Sequence, residues 1–167
     1  MDVGLLIARV VFGLLLTAHG CQKLFGWFGG PGLSKAATFF ESLGFHPGRM
    51  FVVMTVLAES GGGLLLALGF FQPAAAAPIV SAMIVAIVTV HWGNGLLGPS
   101  GIELPFLYLT AAWALALTGP GAYSLDALLG LTAWWTPQVI GTLLATGVIG
   151  GIVSLGLRRP GSAVAHA

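Results

Sequence analysis

Long apolar runs, interrupted by almost no charge, constrain this chain more than any other feature. Of its 167 residues, 57% are hydrophobic and 7% charged, six basic and five acidic. A soluble domain carries about 25% charged residues to keep its surface wet, so this composition leaves lipid as the solvent for most of the surface. Crossing about 30 Å of hydrocarbon takes roughly 20 apolar residues as a helix, which pairs its own backbone polar groups. Runs of that length or nearly so cover Val3 to Gln22, Met50 to Phe71, Ala74 to Trp92, Ile102 to Gly119 and Trp134 to Leu157. The reading is an all-α membrane bundle of four or five crossings. Pro78 falls in the first turn of the third run, where proline is tolerated. The fourth run is the shortest. The fifth opens on a Trp-Trp pair suited to the interface and closes on Arg158 and Arg159. Half of the twenty-six glycines lie within these runs, where small residues let helices approach closely. On the fifth run, Gly141 with Ala145 and Gly147 with Gly151 have that spacing, which fits packing within one chain or a homo-oligomer.

A formal net charge of +1 and the absence of a basic block exclude a nucleic-acid partner. The single cysteine, Cys21, excludes an intramolecular disulfide and any CxxC pair. The opening Met-Asp-Val-Gly lacks the basic n-region of a cleaved signal peptide, so the first helix is expected to remain. With five crossings, Lys23, Lys35, Arg49, Arg158 and Arg159 fall on one side and the opposite loops hold no cation. The positive-inside rule then puts the N-terminus outside and the C-terminus in the cytoplasm of a multi-pass plasma (inner) membrane protein. Between the first two runs Ser34 can cap a short helix that Gly44 ends. Ala36, Phe39, Phe40 and Leu43 share one face of it, and Lys35, Thr38 and Ser42 the other. Too short to span, it reads as an interfacial lid or as a plain connector on the headgroups.

Residues 19–30, HGCQKLFGWFGG, resemble the signature at the end of the first helix in the DoxX family of small bacterial and archaeal membrane proteins. The resemblance continues in Glu59 with Gly62 and Gly63, in GIELP at 101–105 and in GPGAYSLDALLG at 119–130. It implies a four-helix membrane domain over residues 1–130, to which residues 131–158 add a fifth transmembrane helix and 159–167 a disordered cytoplasmic tail. It also implies a link to redox chemistry, since the namesake is a subunit of a quinone-linked thiosulfate oxidoreductase. No residue demands a cofactor; a quinone is the one the resemblance admits.

Charge inside a bilayer is costly, so Arg9 and Glu59 should face the bundle interior and find partners. An Arg9–Glu59 ion pair is expected if their helices are antiparallel neighbours. Two readings stand: the pair sets helix register, or Arg9, His19, Lys23 and Glu59 form a polar pocket for a small polar or quinone-like molecule. Lys23 alone can also snorkel to the headgroups. On the five-span topology His91 and Glu103 reach the same end as His19 and Lys23. That convergence predicts a pocket of His19, Lys23, His91 and Glu103, with the Phe39–Phe40 helix closing it; with Arg9 and Glu59 these are the six candidate ligand-binding residues. An imidazole there can take the proton that accompanies quinone chemistry. No HxxxH, ExxH or CxxC spacing supports a metal. Cys21 reads as an apolar filler or a redox thiol, Ser124 and Asp126 as a structural turn and cap, and His46 and His166 carry no assigned role.

No nucleophile with its base, phosphate loop or cofactor fingerprint occurs in the chain. Two functions therefore remain. One is the membrane subunit of a redox system that binds a quinone or anchors a soluble redox partner protein in the lipid bilayer. The other is a non-enzymatic carrier, scaffold or assembly protein.

Overall fold

The computed structural model describes residues 2–98 and 100–159. Among them are no strand, two short 3-10 helices, Trp27–Gly29 and Leu131–Trp134, and seven longer or α-helical elements: α1 Asp2–Phe25, α2 Gly32–Ser42, α3 Gly48–Leu68, α4 Gln72–Asn94, α5 Glu103–Thr118, α6 Leu125–Leu128 and α7 Pro137–Gly156. Four of these, α1, α3, α4 and α7, are long and apolar enough to cross a membrane. The apolar α5 has 16 residues, about 24 Å at 1.5 Å per residue. Most of the expected tail, from residue 160 on, lies outside the described residues.

Between lipid-bathed helices the hydrophobic effect gives little, and close van der Waals packing has to hold the bundle. Helix α1 meets α3 through glycine. A Cβ on Gly63 would lie 2.6 Å from the Gly13 carbonyl oxygen and 2.8 Å from Thr17 Oγ1, so no larger residue fits at this contact. Along the same seam Ser60 Oγ donates to Thr17 O at 3.1 Å, and Thr17 Oγ1 lies 3.4 Å from Ser60 O. The order of these contacts, rising on α1 while falling on α3, makes the two helices antiparallel.

Helix α4 is the centre of the bundle, packed against α3, α5 and α7. Its Ala76, Ile79, Val80 and Met83 are buried with Leu16, Leu66, Tyr108 and Leu144 in one core. Gly147 of α7 sits on α4 so closely that a Cβ would be 2.6 Å from Ala77 O, and Gly151 packs against Ile84. This small-residue pair therefore works within the chain. Gly141 faces open space.

Two sequence expectations change here. The amphipathic helix starts at Gly32 after Pro31, so Ser34 lies inside it and does not cap it. Helix α4 starts at Gln72, which moves Pro78 into the second turn, where it faces outward. The amphipathic face itself stands where the spacing put it, with Lys35, Thr38 and Ser42 exposed and Ala36 buried.

Both α3 and α4 contain one wide, π-type turn, over Leu57–Gly61 and Ile87–His91. Such a turn takes up an extra residue, leaves backbone groups short of their usual partners and is frequent at functional sites. In α3 the Thr17 hydroxyl reaches toward the Ser60 carbonyl, which fits the rule that neighbouring hydroxyls re-satisfy such groups in lipid.

Candidate ligand-binding cavity

The wide turns carry Glu59 and His91, and both side chains line one cavity of about 480 Å³. Helix α1 contributes Leu16, His19, Gln22 and Lys23. The inward face of α2 closes the cavity with Ala36, Phe39, Phe40 and Leu43, and α5 adds Leu104, Pro105 and Tyr108. Met83, Ala86 and Val90 of α4 extend the apolar wall. Helix α7 contributes nothing to it. The volume falls within the range of small-molecule sites, about 300–1,000 Å³, and the mix of apolar walls with a few polar groups is typical of them.

Lys23 Nζ donates to Glu59 Oε2 at 2.5 Å. The Glu59 side chain is only 5% exposed and that of Lys23 is 25% exposed, so the carboxylate is the more deeply held partner. The expected Arg9–Glu59 pair is not formed. Arg9 and Lys23 are separated by about 21 Å along α1 at 1.5 Å per residue, and antiparallel packing puts Glu59 level with Lys23. The rise of the chain, not the sign of the charge, selects the partner.

His19 stands edge-on to Tyr108, ring centroids 5.6 Å apart, and its Nδ1 lies 3.1 Å from Gln22 Oε1. His91 Nδ1 lies 2.8 Å from the Ser100 carbonyl oxygen. The structure thus brings His19, Lys23, Glu59 and His91 of the six predicted residues around one space. Glu103 is exposed at the start of α5, and its neighbours Leu104 and Pro105 face the cavity instead. The residue that the sequence reading missed is Tyr108, buried in the middle of the apolar α5. Its spacing from Pro105 and Leu104 on a helix would have flagged it only once the inward face of α5 was known.

Arg9 belongs to a second polar centre at the opposite end. It is 1% exposed, and Nη2 donates to Tyr123 O at 2.6 Å. Asp126, fully buried, receives Phe71 N–H at 2.8 Å, Gln72 N–H at 3.1 Å and the Trp135 indole N–H at 3.0 Å. Gln72 Nε2 in turn donates to Leu115 O and Gly119 O. The Asp126 carboxylate thereby satisfies the open N-terminus of α4, an arrangement favoured by the helix dipole. Ser124 caps α6 by accepting from Ala127 N at 3.1 Å. Cys21 is half-buried. Among the described residues no three His, Cys, Asp or Glu side chains are grouped as metal ligands.

A helical membrane bundle holding a mostly apolar cavity with one buried ion pair is the class of protein that this fold defines. The DoxX family model matches residues 4–92, and the chain belongs to that family. It is 31% identical over 133 residues to inner membrane protein YqjF of Escherichia coli, covering 77% of this chain and 93% of that protein. It is also 29% identical over 125 residues to "Putative oxidoreductase CatD" of Bacillus subtilis, covering 75% and 86%. Inner membrane protein YphA of Escherichia coli is 31% identical over 129 residues, covering 73% and 87%. No solved structure matches the chain. It is a multi-pass membrane protein and meets the lipid bilayer.

Proposed function

We propose that the chain is the ligand-holding membrane component of a redox system, and that a quinone-like ring occupies the cavity under α2. The observation that carries this reading is the cavity itself, with apolar walls sized for a ring and polar groups of α1, α3, α4 and α5 at its edge. A relative named as an oxidoreductase supports the redox assignment. The chain's own residues bind and orient; electrons pass to or from a soluble partner. Residues 1–130 form the site-bearing domain, and α7 is an addition outside it.

Titrating 2-methyl-1,4-naphthoquinone into the protein in nanodiscs tests the reading. Saturable one-to-one binding is expected, weakened at least about tenfold, or 1.4 kcal/mol, when Ala86→Phe fills the cavity. Affinity indifferent to Ala86→Phe would place the ring elsewhere. Partner-free flux of a small polar solute into liposomes, with no quinone bound, would favour a carrier instead.

Five crossings complete this picture. Lys23, Lys35, Arg49, Arg158 and Arg159 all gather at the cavity end, where Arg159 N–H donates to Gly44 O at 2.8 Å and Arg158 Nε to Leu43 O. By the positive-inside rule that end is cytoplasmic and the N-terminus is outside. A reporter active only outside the membrane should work when inserted at Gly121 and stay silent after Ala167. The reverse pattern would overturn the orientation, and activity at both sites would overturn the crossing count.

A further inference from the structure

We propose, building on the cavity reading above, that the cavity selects the reduced, dihydroxy form of the ring over the quinone, because its polar edge is set to accept hydrogen bonds. The assignment follows from which ring nitrogens are already committed. A carbonyl oxygen only accepts, so the contact between His91 Nδ1 and Ser100 O at 2.8 Å puts the proton on Nδ1. In a neutral imidazole the other nitrogen, Nε2, is then a bare acceptor. His19 reaches the same tautomer by another route. Gln22 spends its amide N–H on Phe28 O at 3.4 Å, which turns Oε1 toward His19 Nδ1 at 3.1 Å. That oxygen also only accepts, so His19 Nδ1 donates and Nε2 is left to accept.

Glu59 adds a third acceptor. Lys23 holds Oε2, and Oε1 keeps its lone pairs for a ligand. Against these stand two donors, the Tyr108 hydroxyl and the remaining N–H groups of Lys23. All five side chains line the same cavity. A quinone brings two carbonyl acceptors and no donor, so it can meet the donors and must leave imidazole and carboxylate lone pairs facing its own. The hydroquinone brings two O–H donors for those acceptors, while its oxygens still accept from Tyr108 or Lys23. Leaving buried polar groups unpaired is what makes a site built for a hydroxyl reject the analogue without one; that cost falls most on Glu59, whose side chain is 5% exposed, and less on the half-buried His19 and His91.

The test compares 2-methyl-1,4-naphthoquinone, its hydroquinone under anaerobic reducing conditions, and the dimethyl ether of that hydroquinone, which keeps the ring and loses both donors. Calorimetric titration into the full chain in nanodiscs should show the hydroquinone binding at least about tenfold more tightly than the other two. His19→Phe and His91→Phe keep an aromatic ring and remove the acceptor. Each should cut hydroquinone affinity several-fold, leave the ether and the quinone unchanged, and so shrink the ratio. A variant that fails to fold does not matter to the outcome, since the three-ligand comparison on the unaltered chain decides alone. Equal or tighter binding of quinone or ether overturns the selectivity while leaving the cavity reading intact. Binding of none of the three overturns both.

Discussion

Lys23→Met should destabilise the protein by about 3–5 kcal/mol, the usual cost of removing one partner from a buried ion pair. The cost falls on Glu59, whose side chain is 5% exposed and loses its 2.5 Å contact. The opposite change should be milder. In Glu59→Gln the orphaned Lys23, 25% exposed and at the end of α1, can extend along its apolar stem to the headgroups, and about 1–2 kcal/mol is expected. The double variant Lys23→Met with Glu59→Gln should lose less than the single lysine change, about 3 kcal/mol in all, a coupling of roughly 2–3 kcal/mol. Reversible unfolding in mixed micelles reads all four corners of the cycle. A double variant whose loss equals the sum of the two singles would show that the side chains are uncoupled.

Asp126→Ala carries the other large effect. Three donors lose their acceptor at once: the backbone N–H groups of Phe71 and Gln72 and the Trp135 indole. At about 1–3 kcal/mol for each buried donor left unpaired, and with the Phe71 and Trp135 contacts only part-buried, a loss toward the lower end, about 3–5 kcal/mol, is expected. Asp126→Asn keeps one acceptor oxygen but turns an amide N–H toward a donor, so about half that loss is expected. Asp2→Ala provides the contrast. Its oxygen also accepts from a backbone N–H, that of Ala122 at 3.0 Å, but in exposed surroundings, and a change within about 0.5–1 kcal/mol is expected. The same unfolding measurement ranks the three. If Asp126→Ala falls in the range of Asp2→Ala, the carboxylate is not what holds the α3–α4 turn.

These two centres divide what could be read in advance from what could not. The helical face of Ala36, Phe39, Phe40 and Leu43 was legible because a period of 3.6 is a property of one segment, and those four residues do close the cavity. The arrival of His19, Lys23 and His91 at one end was legible because helix lengths and turn positions set depth in a bilayer. Partner choice was not. Arg9 and Lys23 lie on one helix with similar claims on Glu59, and only the antiparallel register of α1 against α3, set by Gly13 and Gly63, gives the carboxylate to Lys23. Asp126 looked like the local cap of a turn, yet its acceptor oxygens serve Phe71, Gln72 and Trp135. Its main partners are more than fifty residues away in sequence.

By itself, then, the sequence determined the solvent, the helices and the family. Each of these follows from local composition and period, which neighbouring segments cannot change. Tertiary structure alone decided which charges pair, that α3 and α4 widen by a turn at Glu59 and His91, and that Tyr108 joins the cavity while Glu103 stays outside. Those outcomes depend on how far two helices slide and rotate against each other. A shift of one residue turns a side chain by about 100° on a helix of 3.6 residues per turn, enough to exchange cavity for lipid.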